Sequence, residues 1–406
     1  MPTTPERALE KTPLKTKTYR RRLWIGGSSG LARTYWNAFP EEIVSDGIEW
    51  IFLGHEKYAP SWMLETMSPR QKSPTTTITY HSLDLRRVDS DALTELLRLC
   101  HDVQDVIISI RPRLVSSDSF AQAWTTNQQM LQGLERILHA LVQNHNAQSQ
   151  PLRILHLSSI AAIHHVQEQK LRSESDPEPA SDELPNPYDR FKRASEEMIL
   201  KLPKEYNNKQ KNTKRVVQIT NIRMGAIFSD DPRCIQCNAM QLQSRIGCYL
   251  HLPIDCNSSR NVASLIHLLL ASDQPWPRPV YYYTRPIRFH PQPVAYGSYL
   301  QAYRRANDIS WAALWIPVSL VHAVVGAFHT FATAIISPRG RSSSSSWWRK
   351  LLERYLYLEH VDYLLQVTIK EHSFDLTAVQ TDFPKLLEME ESIYECFRRR
   401  RKLLKL

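Results

Sequence analysis

Along the chain, short apolar runs alternate with stretches in which apolar residues return every three or four positions. The runs are Leu23-Trp24-Ile25, Trp50-Ile51-Phe52-Leu53, one leading into Leu83-Asp84-Leu85, Asp105-Val106-Ile107-Ile108-Ser109-Ile110, Ile154-Leu155-His156-Leu157, and Val216, Val217 and Ile219. Short runs of this kind read as buried strands. Helical spacing joins Leu93, Leu96, Leu97 and Leu99, then Met130, Leu134, Ile137, Leu138 and Leu141, then Phe191, Ala194, Met198, Ile199 and Leu202. Strand and helix alternating in this rhythm predict an α/β fold, a doubly wound, mostly parallel sheet with right-handed crossovers and helices on both faces.

The polar stretches divide the chain. Residues 1–19, rich in Thr, Pro and Lys, read as a disordered tail. Residues 59–76, the acidic Pro/Ser-rich stretch from Val166 to Pro185, and Pro203 to Lys214 read as surface loops, the second of them able to border a cleft. Residues 20–230 then form the sheet domain, 231–310 a smaller substrate lobe with returning sheet elements, 311–336 an apolar helix, and 337–406 a helical region with a basic tail. A chain of 406 residues is long enough for this arrangement.

Composition adds two constraints. The formal charge is +10, but the basic residues are dispersed or collect at Arg20-Arg21-Arg22 and at Arg398 to Lys402, which reads as solvated tails or a membrane-surface preference and not as a nucleic-acid site. The six cysteines follow no secreted framework and no signal peptide pattern opens the chain, so an intracellular setting is expected. Cys234-x-x-Cys237, with Cys248 and Cys256 beyond it, matches no zinc module and reads as reduced thiols.

The candidate chemistry lies where the runs end. Gly26-Gly27-Ser28-Ser29-Gly30-Leu31-Ala32 follows the first strand and opens a helix, a turn that lets backbone approach a pyrophosphate at a helix N-terminus. The second strand ends in Gly54-His55-Glu56-Lys57 with no acid placed for a ribose 2′-hydroxyl; Arg33, His55 and Lys57 suit a 2′-phosphate, which favours NADP over NAD. Asp84 at the third strand's end could meet an adenine amino group. Ser158-Ser159 closes the fifth run. About thirty residues on, Asn186 can cap and Pro187 can start a helix that carries Tyr188 and Lys192 one turn apart, so that the ammonium can lie beside the phenol and draw its pKa down for proton transfer.

These features resemble the extended short-chain dehydrogenase/reductases, the NAD(P)-dependent epimerase/dehydratase superfamily, and within it the 3β-hydroxysteroid dehydrogenase/isomerase branch. The residues that carry the resemblance are the Gly-rich turn, Asp84-Leu85, Leu157-Ser158-Ser159-Ile160, Tyr188 to Lys192, Arg223-Met224, Arg260-Asn261-Val262-Ala263 and Pro279-Val280-Tyr281-Tyr282-Tyr283, over about residues 20–395. The chain departs from the family pattern at Arg33, at Ser109-Ile110-Arg111-Pro112 and at Met224. The resemblance implies a Rossmann-type domain. It also implies Tyr188 as acid–base, Lys192 as the residue that tunes it and holds the nicotinamide ribose, and Ser159 as the donor to the reacting oxygen. The cofactor would lie along Gly27, Ser28, Ser29, Gly30, Leu31, Arg33, His55, Asp84, Leu85 and Ser109.

Trp311 to Ile336 contains no charged residue, with Arg304-Arg305 before it and Arg339, Arg341, Trp347-Trp348, Arg349 and Lys350 after it. A spanning helix, a helix embedded at the mouth of a sterol-type site and a buried helix all fit, and the basic and aromatic flanks favour membrane contact. Leu351 to Leu365 reads as a further helix. The expected activity is NAD(P)-dependent hydride transfer to or from the C–OH or C=O of a hydrophobic, sterol-like substrate at an endoplasmic-reticulum-like membrane, with a homodimer as one assembly open to it. Nucleotide-sugar epimerisation or dehydration, and a non-catalytic dinucleotide-binding membrane protein, are the alternatives.

Overall fold

The computed structural model describes residues 20–66, 77–112, 120–145, 151–163, 171–209, 217–250, 255–289, 294–310 and 374–404, apart from positions 44, 46 and 185, together with the strand Leu314–Ile316 and isolated positions up to 327. In chain order the elements begin β1 (Arg20–Ile25), α1 (Gly30–Ala38), α2 (Pro40–Ile43), β2 (Ile48–Gly54), α3 (Ser61–Thr66), β3 (Ile78–Ser82), α4 (Ser90–Leu99), β4 (Asp105–Ile108), α5 (Phe120–Asn144) and β5 (Leu152–Ser159). They continue with α6 (Pro187–Lys209), β6 (Val217–Met224), β7 (Ala226–Phe228), α7 (Ile235–Ile246), β8 (Cys248–Leu250), β9 (Cys256–Ser258), α8 (Ser259–Ala271), β10 (Val280–Tyr282) and α9 (Tyr296–Ala306). After β11 (Leu314–Ile316) come α10 (Thr377–Asp382), α11 (Leu386–Met389) and α12 (Ile393–Leu404).

Seven strands form one parallel sheet in the order β10-β6-β5-β4-β1-β2-β3, and β7-β9 and β8-β11 make two small parallel pairs. The connection reverses direction between β1 and β4, which places a crevice at their carboxyl ends. The alternation of side chains along each strand builds a core on each face: Trp24, Trp50 and Phe52 point to α1 and α8, while Leu23, Ile25, Ile51 and Leu53 point to α4, α5 and α6. At the opposite, amino ends of the central strands Asp105 accepts from Arg22 Nε at 3.1 Å and from Arg153 Nε at 2.6 Å. Both guanidinium groups also donate to the Leu270 carbonyl near the end of α8, where helix carbonyls lack intrahelical partners.

Besides the helix α3 in the stretch 59–76 that reads as a loop, four expectations change. Pro203 does not end α6, which runs on to Lys209; the proline removes one N–H from the ladder, and the buried Leu202 beside it keeps the helix against the core. The described part of the 166–185 stretch, 171–184, is no simple surface loop, because Arg172 is buried with bonds to the Ile163 and Pro177 carbonyls at 3.2 and 2.8 Å, and Glu178 pairs with the buried Arg223 at 2.5 Å. The basic C-terminus is not a free tail: it forms α12, in which Arg400 is buried and donates to Ser229 O at 3.1 Å and to Asn238 at 3.0 Å. Cations that reach orphan loop carbonyls in this way serve as internal clamps.

The fourth change concerns the apolar segment. Leu314–Ile316 is a strand pairing with Cys248–Leu250 where a helix was expected, and no helix among the described residues is long and apolar enough to cross a membrane. Most of 317–336, the Leu351 to Leu365 helix and the 1–19 tail lie outside the described residues.

Candidate active site

The entry into α6 is built as its residues dictate. Asn186 Oδ1 accepts from the amides of Tyr188 at 2.8 Å and Asp189 at 3.4 Å, and Pro187 occupies the first helical position. Tyr188 and Lys192 follow one turn apart, and the carboxyl end of β5 brings Ser159 to them. The Ser159 hydroxyl accepts from Ala161 N at 3.2 Å and is hydrogen-bonded with the Tyr188 phenol. Ser159 and Tyr188 thus meet at a strand end, with Lys192 bonded to the same strand at Leu157 O.

The electrostatics differ from the expectation. Burial pushes the Tyr188 phenol above its ordinary value and the Asp189 charge adds to this, while the Ser159 hydrogen bond and the Arg111 charge oppose it. Lys192 is not among these influences. Its ammonium is buried and donates to Ile110 O and Leu157 O, each at 3.0 Å, and burial brings it down to about 8 against the opposing charge of Glu196. Ile110 lies beyond the last residue of β4, and a buried ammonium is drawn to such a carbonyl because it needs acceptors. Lys192 therefore ties the β4 and β5 ends together, and Arg111, a departure from the family pattern, supplies the cation that acts on the phenol.

Buried polar groups stand behind these residues, and of them His156, Ser195, Glu196 and Asn221 were not singled out in the sequence as chemistry. His156 Nδ1 lies 2.8 Å from Asn221 Oδ1 and its Nε2 3.3 Å from Ser195 Oγ; burial, with the Lys192 charge, brings its pKa down to about 4. Arg223 forms a bidentate salt bridge with Glu196, donating from Nη2 to Oε2 at 2.6 Å and from Nε to Oε1 at 3.0 Å, and donates to the Tyr282 phenol at 3.0 Å. The available signal was a histidine and an arginine inside buried strands, with Glu196 one helical turn after Lys192.

The glycine-rich turn has the shape that a dinucleotide needs. Gly26 is left-handed, at φ +83°, and a Cβ there would lie 2.7 Å from the Ser109 carbonyl oxygen. Ser29 caps α1 by accepting from Ala32 N at 3.2 Å, and the amides of Gly30 and Leu31 are those that a helix start leaves for an anion. Gly27 and the buried Ser28 complete the turn. Ser109 is committed to closing it: its hydroxyl accepts from Trp24 Nε1 at 2.7 Å and donates to Gly26 O at 3.1 Å.

The outer positions are less simple. His55 is exposed just past β2. Asp84 is engaged locally, capping the short turn of Leu85–Arg87 and holding Arg86 by a pair of bonds at 2.6 and 2.9 Å, so its carboxylate is not the open acceptor that an adenine contact requires; this pairing holds its pKa down at about 2. Half-buried Leu85 belongs to the same short turn. Asp231, from the loop after β7, reaches the start of α1: a Cβ on Gly30 would lie 2.8 Å from its Oδ2. Burial works to raise that carboxyl, and the Arg233 hydrogen bonds and the Arg33 charge outweigh it, leaving it below the ordinary range. Arg33 thus faces an acid at the turn.

Sheet order, turn and strand-end residues define a Rossmann-type dinucleotide-binding fold. The model of the NAD dependent epimerase/dehydratase family matches residues 37–235. The match begins after the glycine-rich turn. No curated protein matches the chain by sequence. Among solved structures, the terminal R domain from the myxalamid PKS-NRPS biosynthetic pathway is 12% identical with a TM-score of 0.62, covering 96% of this chain and 92% of that one. Yeast methylglyoxal/isovaleraldehyde reductase Gre2, complexed with NADPH, is 12% identical with a TM-score of 0.60, covering 95% and 98%. Bordetella bronchiseptica WbmH, in complex with NAD+, is 11% identical with a TM-score of 0.56, covering 93% and 96%. At such identities these likenesses establish the fold.

Proposed function

We propose that this protein is an NAD(P)-dependent oxidoreductase that interconverts a secondary alcohol and a ketone on a hydrophobic, sterol-like molecule. The observation that carries the reading is the meeting of Ser159 and Tyr188 in one hydrogen bond at the carboxyl end of β5, with Lys192 one turn below. A nicotinamide dinucleotide bound at the turn supplies the hydride donor or acceptor. The backbone of Gly27 to Leu31 receives its pyrophosphate, and Arg33 and His55 favour a 2′-phosphate over a bare ribose.

The chain's own contribution is proton transfer and charge placement. A phenol held above its ordinary pKa is protonated at neutral pH, which suits it to give a proton to a developing alkoxide in the reducing direction. Ser159 supplies a second hydroxyl for the same oxygen, and fixed donors there lower the barrier. The charge of Arg111 limits how far the phenol rises. In the oxidising direction the same charge helps Tyr188 act as a base.

The uncharged stretch Trp311 to Ile336 with its basic flanks supports a lipophilic substrate taken from a membrane. Nucleotide-sugar epimerisation or dehydration is the second reading, favoured by the family match itself. Turnover of NAD(P)H on a panel of sterols, other lipophilic ketones and UDP-sugars separates the two. Tyr188→Phe lowers turnover on the accepted substrate by about 100-fold or more while dinucleotide binding stays unchanged; equal turnover in the variant overturns the acid–base role.

A further inference from the structure

Cys234 and Cys237 lie outside the site described above. Cys234 is the N-cap of α7 and Cys237 stands in its first turn. Residues three apart at a helix start face the same side, with Cα atoms roughly 5–6 Å apart, within the span of a disulfide. Cys237 is buried and its thiol donates to Ser229 O at 3.2 Å; Cys234 is half-buried, with its sulfur 3.4 Å from Ile227 O.

The two sulfurs are unlike. The neighbouring Cys237 sulfur, the backbone amides of Cys237 and Ser229, which aim hydrogens at the Cys234 sulfur, and the charge of Arg400 together outweigh burial and hold Cys234 below the ordinary thiol range. Cys237, beside that developing charge and buried, is pushed up. One sulfur is thus the nucleophile and the other keeps its proton, the division of labour that disulfide formation uses.

The neighbours tie this pair to the dinucleotide turn. Ser229 O accepts from both Cys237 and Arg400, and two residues on Asp231 lies against Gly30.

We propose that Cys234 and Cys237 form a peroxide-sensitive dithiol whose oxidation to a disulfide alters the grip of the Ser229–Asp231 loop on the glycine-rich turn. The thiolate of Cys234 attacks one oxygen of a hydroperoxide, the O–O bond breaks, and a sulfenic acid forms with release of hydroxide or alkoxide. The Cys237 sulfur then attacks the Cys234 sulfur, the S–O bond breaks, and the leaving hydroxide takes the Cys237 proton as water. Two electrons pass from the sulfurs to the peroxide. The disulfide removes the hydrogen that Ser229 O had accepted from Cys237. The effect on the turn rests on the dinucleotide reading; the disulfide does not.

The test treats the full chain with hydrogen peroxide and maps cysteines by peptide mass. A Cys234–Cys237 linkage in the wild type, dimedone-trapped sulfenic acid in Cys237→Ser, and no oxidation at Cys237 in Cys234→Ser support the pair. A linkage from Cys234 to Cys256 or Cys396, or thiols left fully alkylatable, overturns it. NADPH titration of reduced and oxidised protein reads the coupling: a change of affinity of about fivefold or more, reversed by dithiothreitol, supports it. Equal affinities, or no dinucleotide binding in the reduced protein, overturn the coupling, and only the last outcome also counts against the proposed function.

Discussion

The Lys192 ammonium donates at 3.0 Å to the carbonyl of Leu157, two residues before Ser159 in the same strand, and not to the Tyr188 phenol one helical turn away. With its second bond to Ile110 O, also at 3.0 Å, it fastens the strand that carries Ser159 to the strand end that follows Ser109. The lysine thus holds the proton-transfer group and the cofactor turn in one frame.

That position predicts a pH signature. The folded-state pKa of Lys192 is brought down to about 8 from an ordinary value of 10.5, so the folded protein resists a proton that the unfolded chain accepts. The penalty is complete below pH 8 and is relieved as pH rises through 10.5. Wild-type stability measured by urea midpoint should therefore rise relative to Lys192→Met across this window. A constant difference between the two proteins from pH 8 to 10.5 would show that the ammonium is not buried.

His156 predicts a slope at the acid end. Its pKa falls to about 4 from 6.5, so the stability it permits is complete above pH 6.5 and is lost as pH falls towards 4. The loss amounts to about 3 kcal/mol at most. Urea midpoints at pH 7.5 and 4.5 should separate more for the wild type than for His156→Gln; an equal drop in both counts against a buried neutral imidazole.

At the glycine-rich turn, the Asp231 carboxylate competes with any bound phosphate for the start of α1. Asp231→Asn should tighten NADPH binding by about two- to fivefold while costing the helix start a few tenths to 1 kcal/mol, the usual value of an acid at a helix N-terminus. Arg33→Ala should weaken NADPH relative to NADH, since it removes a cation and leaves the acid. Fluorescence titration of both cofactors checks each variant, and an Asp231→Asn protein that binds NADPH more weakly would reverse the assignment.

Periodicity and turn chemistry were enough to place the parallel sheet, the glycine-rich turn, the capped start of α6 and the trio Ser159, Tyr188 and Lys192. Each follows from local rules: side-chain alternation, a left-handed glycine, an asparagine that caps, and two residues one turn apart. The family resemblance extended these rules to residue roles, and the match of the epimerase/dehydratase family model over 37–235 is consistent with the resemblance itself.

What lay beyond local reach was the choice of partners by buried charges. Lys192 went to two carbonyls, Asp84 to Arg86 and Arg400 to the loop after β7, because a charge taken from water is held by whichever acceptors or counter-charges the packed chain brings nearest, and those are distant in sequence or hidden by local competition. The same reasoning explains why Glu178, in a stretch that reads as a polar loop, pairs with Arg223 behind the site. Sequence alone determined where the strands end and which groups stand there; tertiary structure decided which of those groups face one another, since only packing sets the distances on which their charges and hydrogen bonds depend.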